Sequence, residues 1–227
     1  MYSLPLVAES NASAVAVILL TIDIPLPGEG RGVLKELDCA KLFEPVTKLS
    51  LQVKTAQKLP EIIRRAFRVA CSGKPGAVHL QIPEDMLSAD VDPGTVSLHV
   101  EEECKTFPAF PTRPAPGVLE DLLGHIRHAE RPLIVSGGGV NRACAGVDVQ
   151  ALAERLNVPV CTTMTGQGTM PDDHPLAIGV IGDNGYHPHA NQSLEEADFV
   201  LFVGSRMGSV VTIGWTFPKL TLNKRVA

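Results

Sequence analysis

The sequence predicts an α/β fold made of two incomplete three-layer α/β units with mainly parallel sheets. Three observations predict it. "AVAVILLTIDIP" (14–25) is a continuous apolar, β-branched run closed by a proline, the pattern of a strand buried on both faces of a parallel sheet. Strand-like and helix-like stretches then alternate along the chain, which is the repeat of an α/β architecture. In the second half, strand-like runs meet Gly, Thr or Ser at their carboxyl ends, the edge where open α/β sheets bind ligands.

Taken in order, "PLPGEGRGV" (25–33) follows the first run and reads as a loop from its Pro and Gly content. "LPEIIRRAFRVACSG" (59–73) sets Ile62, Ile63, Ala66, Phe67 and Ala70 at helical spacing, with Pro60 near the start and Gly73 past the end. "AVHLQIP" (77–83) alternates as a strand does and stops at Pro83. The texture changes over 90–117, which is rich in proline and lacks periodicity, as expected of a linker. Its triplet Glu101, Glu102 and Glu103 reads as a solvated charge run.

Beyond the linker, Val118, Leu119, Leu122, Leu123 and Ile126 share one helical face in a segment that ends before Pro132. His125 and His128 fall on the polar side of that helix. "RPLIVSGGGV" is a short strand running into Gly137, Gly138 and Gly139. "VDVQALAERLNVPVCTTM" gives a helix and a strand joined at Pro159, and "NQSLEEADFVLFVGSR" a short helix and a further strand. Between them, residues 162–191 read as one long Gly- and Pro-containing loop, longer than most loops without a function.

Composition limits the function classes. The chain has 227 residues, 44% hydrophobic and 20% charged, with a formal net charge of -5 and a pI near 5.8. It offers no basic stripe for nucleic acid, and a small-molecule ligand fits better. No apolar run approaches a membrane span, and the start "MYSLPLVAESNAS" lacks the features of a signal peptide. Cys39, Cys71, Cys104, Cys144 and Cys161 are odd in number, scattered and without a C-x-x-C pair, so neither a disulfide framework nor a zinc site is expected. The expectation is a cytoplasmic protein with no membrane and no nucleic-acid partner.

Gly137–Gly139 lack the G-x-G-x-x-G spacing. They suit either a phosphate cradle, since backbone N–H groups can approach a ligand where no Cβ intervenes, or a tight strand-to-helix turn. Thr162, Thr163 and Thr165 suit either hydroxyl donation to a ligand or turn capping. Arg206, just after a strand end, suits either phosphate or ring binding or a surface ion pair. His187 and His189 read as surface loop histidines, because Pro188 separates them and no further ligand stands at a metal-like offset. Ser136 and Ser205 lack a G-x-S-x-G context, so a serine hydrolase has no support. These readings assign no catalytic and no metal-ligating residue.

In order, "LLTIDIP", "GRGVLKELDCAKLFEPVTKLS", "LPEIIRRAFRVACSGKPGAVHLQIPEDML", "RPLIVSGGGV", "LNVPVCTTMTGQGTMPDDHPLAIGVIGDNG" and "NKRVA" resemble the acetolactate synthase-like branch of the thiamine diphosphate-dependent enzymes. The resemblance implies that residues 1–92 correspond to the later part of an N-terminal pyrimidine-binding domain, 93–112 to a linker, and 113–227 to the first part of a Rossmann-like central domain. It implies a decarboxylase or carboligase of small 2-oxo acids that uses thiamine diphosphate and Mg2+, works as a homo-oligomer and carries FAD, ADP or no nucleotide on the central domain.

Carried over by position, the nucleotide-contacting residues are Gly137, Gly138, Gly139, Thr163, Gly166, Gly168, Gly185, Gly204 and Arg206. The chain departs from the acetolactate synthase pattern at Asp183 and Asn184, and again over Met207–Ser209. The family's catalytic glutamate and its Mg2+-holding motif fall outside the matched stretch, and "GDNG" (182–185) is not that motif, since it shows no preceding strand and no matching Asn spacing. The chain alone is therefore expected to be inactive. The alternative is a stand-alone nucleotide-binding module without catalysis.

Overall fold

The computed structural model describes residues 2–105, 108–185, 187–219 and 225–227. The chain forms two compact units, Met1–Thr112 and Arg113–Ala227. Of the "NKRVA" stretch, Asn223 and Lys224 lie outside the described residues, as do Thr106 and Phe107 of the expected linker.

The first unit opens with a helix that its sequence did not announce, α1 (Leu4–Ala12), with a proline in its first turn. It continues through β1 (Val17–Asp23), α2 (Cys39–Phe43), β2 (Leu49–Gln52), α3 (Leu59–Cys71), β3 (Ala77–Pro83) and α4 (Glu84–Leu87). The start of α2 is set by Asp38, whose carboxylate accepts from the Lys41 amide at 3.0 Å. The three strands are parallel in the order β1-β3-β2.

This order corrects the reading of 14–25. β1 is an edge strand, and its Leu20 and Ile22 are 54% and 71% exposed. The strand buried along its whole length is β3, which sits between the other two. Its alternation of polar and apolar residues reflects a buried polar face, not solvent. α3 covers the opposite face: Ala66 and Ala70 have no bulk beyond Cβ, so the helix seats closely on Val78 and Leu80.

The linker is not a free tether. Arg64 Nη1 donates to the Ser97 carbonyl at 2.6 Å, and the Arg68 guanidinium grips the Glu101 carboxylate. Ala109 is buried and bridges to Ser72. Glu101 is thus an anchoring partner rather than part of a solvated run.

In the second unit α5 (Pro116–His128) leads to β4 (Pro132–Ser136), α6 (Gly138–Arg142), α7 (Gly146–Leu156), β5 (Val160–Thr162), β6 (Ala177–Val180), α8 (Pro188–Glu196), β7 (Phe199–Val203) and β8 (Arg225–Val226). All five strands are parallel, in the order β6-β5-β4-β7-β8. Ile134 faces a core shared with Val149, Ala153 and Phe199, while Leu133 and Val135 face one shared with Ala190, Leu194 and Val200. Helices thus pack on both faces of the sheet. Of the predicted α5 face only Ile126 is fully buried; Val118, Leu119 and Leu123 remain exposed.

Residues 162–191 are not one loop. They contain β6, whose register against β5 shifts and whose Gly179 takes φ +117°, so neither propensity nor period marks it.

Candidate functional site

Strand order places the second unit's crevice. From β4 the chain winds outward through β5 to β6, then returns to lay β7 against the other side of β4 and β8 beyond it. The order reverses between β4 and β7, and ligands in open α/β sheets bind outside the carboxyl ends at such a point. Gly137–Gly139 leave β4 there, Thr163–Gly168 leave β5, and Gly204–Arg206 leave β7. The structure brings these three groups together. Gly185 lies at the end of β6 in the same row of carboxyl ends, one strand further out.

The local geometry shows what the glycines do. The Gly137 amide donates to the Val203 carbonyl and the Gly139 amide to the Gly204 carbonyl, both at 2.8 Å. A Cβ at Gly137 would stand 2.5 Å from the Gly204 oxygen, and one at Gly166 only 2.1 Å from the Ser136 oxygen. Gly204 itself takes φ +63°, and a Cβ there would stand 2.6 Å from the Val140 amide nitrogen. Two of the three triglycine donors are therefore spent on the last residue of β7 and the glycine after it, and the absent side chains let strand ends touch. Gly166 likewise spends its amide within its own turn, on Thr163, whose hydroxyl caps it at 3.1 Å. Asn141 on α6 fixes the same turn by donating to the Thr165 and Gln167 carbonyls.

What faces outward is a smaller set: Thr165, Gly168, Gly204 and Arg206. Gly168 adopts φ +82° with open space where a Cβ would be. No carboxylate pairs with Arg206 among the described residues. Ser136, directly before the triglycine, is fully buried, and its Oγ has no hydrogen-bond partner among the described residues. Ser205 turns its hydroxyl to the Met207 amide at 3.2 Å.

"GDNG" does follow a strand, β6, contrary to the sequence reading. Gly182 takes φ +96° against Val210, and its amide donates to Asn191 Oδ1 at 2.9 Å. His187 and His189 are fastened to β6, through the Val180 amide at 3.3 Å and the Ile178 carbonyl at 2.8 Å. On α5, His125 contacts Arg225 and His128 the Gly124 carbonyl.

The first unit holds a polar cluster that sequence reading missed. His79 on β3 is fully buried, against the Phe43 ring, between Thr21 on β1 and Ser50 on β2 at 2.8 Å each. Ser50 spends its proton on the Ala40 carbonyl at 2.7 Å, so it accepts from His79 Nδ1–H. Nε2 is then the acceptor for the Thr21 hydroxyl. Burial pushes the imidazole pKa down to about 4, and it stays neutral. Two residues on, buried Gln81 accepts the Ala40 amide at 2.7 Å and donates to Asp23. The signal was the pair of polar residues, spaced by two, inside "AVHLQIP".

An open parallel sheet with helices on both faces and a strand-order reversal between β4 and β7 defines a doubly wound α/β unit. Residues 119–226 match the family model described as thiamine pyrophosphate enzyme, central domain. The chain is 34% identical over 216 residues to the probable acetolactate synthase large subunit of Methanocaldococcus jannaschii, covering 91% of this chain and 34% of that protein. It is 32% identical over 200 residues to the acetolactate synthase isozyme 1 large subunit of Escherichia coli K12, with 88% and 34% covered. Against the glyoxylate carboligase of Escherichia coli O157:H7 it is 29% identical over 202 residues, with 88% and 33% covered. The chain belongs to the thiamine pyrophosphate-dependent, acetolactate synthase-like enzyme family, and it spans about a third of the length of the curated relatives it matches.

Proposed function

We propose that this chain contributes part of a pyrimidine-binding domain (1–92) and the start of a central domain (113–227) to thiamine diphosphate-dependent decarboxylation or carboligation of small 2-oxo acids, and that alone it does not turn over. The observation that carries this reading is the match across 91% of the chain to a protein named as an acetolactate synthase large subunit. Thiamine diphosphate supplies carbanion stabilisation when bound. Among the described residues no three His, Cys, Asp or Glu side chains gather to hold a metal, so no step through Mg2+ is assigned to them.

For FAD or ADP, the fit is to the rim and not to the triglycine. Thr165, Gly168, Gly204 and Arg206 are exposed, whereas the Gly137 and Gly139 amides are committed to the Val203 and Gly204 carbonyls. Homo-oligomerisation is part of the proposal, supported by Leu20 and Ile22 on an edge strand. A cytoplasmic setting accords with five free cysteines, and no helix among the described residues is long and apolar enough to cross a membrane.

The test is calorimetric titration of the purified chain with thiamine diphosphate and Mg2+, followed by a pyruvate turnover assay. The expected outcome is neither binding nor turnover; micromolar binding with turnover would overturn the inactivity. A flavin absorbance scan with ADP titration addresses the rim, where Arg206→Gln should weaken any nucleotide affinity by about tenfold.

A further inference from the structure

In the first unit, α3 and the linker segment 98–105 that crosses it enclose a cleft of about 630 Å3. Small-molecule sites commonly measure about 300–1,000 Å3. One wall is Ile63 and Phe67 of α3, and the other is Leu98, Val100 and Cys104. Phe67 is 48% and Leu98 76% exposed, so large apolar groups face solvent across the opening. Covering them is favourable in proportion to the area removed from water.

Charge at the rim is one-sided. Glu101 is already engaged, by the Arg68 guanidinium and by the Cys104 thiol at 3.6 Å. Lys105 is offset by Glu102 at 2.6 Å. Arg64 donates Nη1 to the Ser97 carbonyl, and no carboxylate pairs with it among the described residues. An apolar cleft under one uncompensated guanidinium is complementary to an aliphatic tail carrying one carboxylate. Eleven residues line it, against roughly 20–30 a side in a stable protein interface, so the cleft suits a small molecule better than a protein partner.

We propose that this cleft binds a small amphipathic monocarboxylate, with the alkyl chain between Phe67 and Leu98 and the carboxylate on the remaining guanidinium donors of Arg64. The inference is independent of the thiamine diphosphate chemistry. Its test is calorimetric titration of the full chain with octanoate and, separately, 1-octanol at low ionic strength.

Octanoate should bind saturably at one site, and about tenfold more tightly than octanol, the difference one charge-assisted hydrogen-bonded pair can supply. Arg64→Gln should remove that tenfold preference and leave octanol affinity unchanged, while the neighbouring Arg65→Gln changes neither. Leu98→Asp should abolish both. Unsaturable octanoate heats, equal affinities for acid and alcohol, or octanol affinity lost together with octanoate affinity in Arg64→Gln would each overturn the assignment. So would concentration-dependent self-association that Leu98→Asp removes, because a second copy would then be the occupant.

Discussion

β3 and β4 hold the same position in their units, the middle strand of a parallel sheet with helices packed against it, yet they tolerate burial differently. β3 carries His79 and Gln81 into the interior and satisfies both, using hydroxyls, a carboxylate and an amide from β1, β2 and α2. β4 is apolar along Leu133–Val135, and its one buried hydroxyl, on Ser136, has no partner among the described residues. At its carboxyl end β4 meets its neighbours through contact without side chains, glycine against strand end. The comparison teaches that a buried strand can fix its neighbours either by directional bonds, which titrate, or by close backbone approach, which only volume can break.

The largest effect should come from volume. Gly166→Ala places a Cβ 2.1 Å from the Ser136 oxygen, a clash with backbone that no rotamer relieves. We expect a loss of about 3–5 kcal/mol, or failure of the second unit to fold, measured by urea denaturation. A cost below about 1 kcal/mol would show that the strand ends are not in contact as described.

The directional strand should respond to pH. An unfolded histidine takes up a proton near pH 6.5, whereas His79 resists until about pH 4. Because its folded pKa is depressed, the unfolded state binds more protons in that window, and stability falls as pH drops from about 6.5 toward 4. The expected loss is up to about 3 kcal/mol: that stability is present in full above the window and is gone below it. His79→Gln should flatten this slope in denaturation curves taken across the window.

A smaller change sharpens the same point. Thr21→Val leaves the buried Nε2 without its donor and should cost about 1–3 kcal/mol at pH 7. Smallest of all, and opposite in tendency, Ser136→Ala removes a buried hydroxyl that bonds to nothing among the described residues. It should be neutral or stabilising by about 1 kcal/mol. If instead it destabilises by as much as Thr21→Val, Ser136 has a partner and the contrast between the two strands fails.

The pattern of residues revealed much of this. α3 was legible because its apolar positions follow helical spacing, and β4 and β7 because short apolar runs end in glycine. β2 and β6 were not: four residues give too short a window for a period, and β6 carries a glycine at φ +117°. β1 was legible as a strand but misplaced as buried. An apolar run reports propensity, and whether the strand is central or at the edge depends on which strands pair with it.

The candidate site divides the same way. The glycines and Arg206 stood out by type and position, but sequence could not say that Gly137 and Gly139 spend their amides on the Val203 and Gly204 carbonyls. His79 drew no notice, since its hydroxyl partners come from Thr21 and Ser50, 58 and 29 residues away.

By itself the sequence determined the α/β class, the helices α3, α5, α7 and α8, the glycine-ended strands and the family resemblance, because these rest on local period, propensity and short motifs. Tertiary structure alone decided that β3 and not β1 is central, that a histidine is buried neutral, and that the triglycine packs against a neighbouring strand. Those outcomes depend on which distant segments meet, and the free energy of a buried polar group or a missing Cβ is set by the partner it meets.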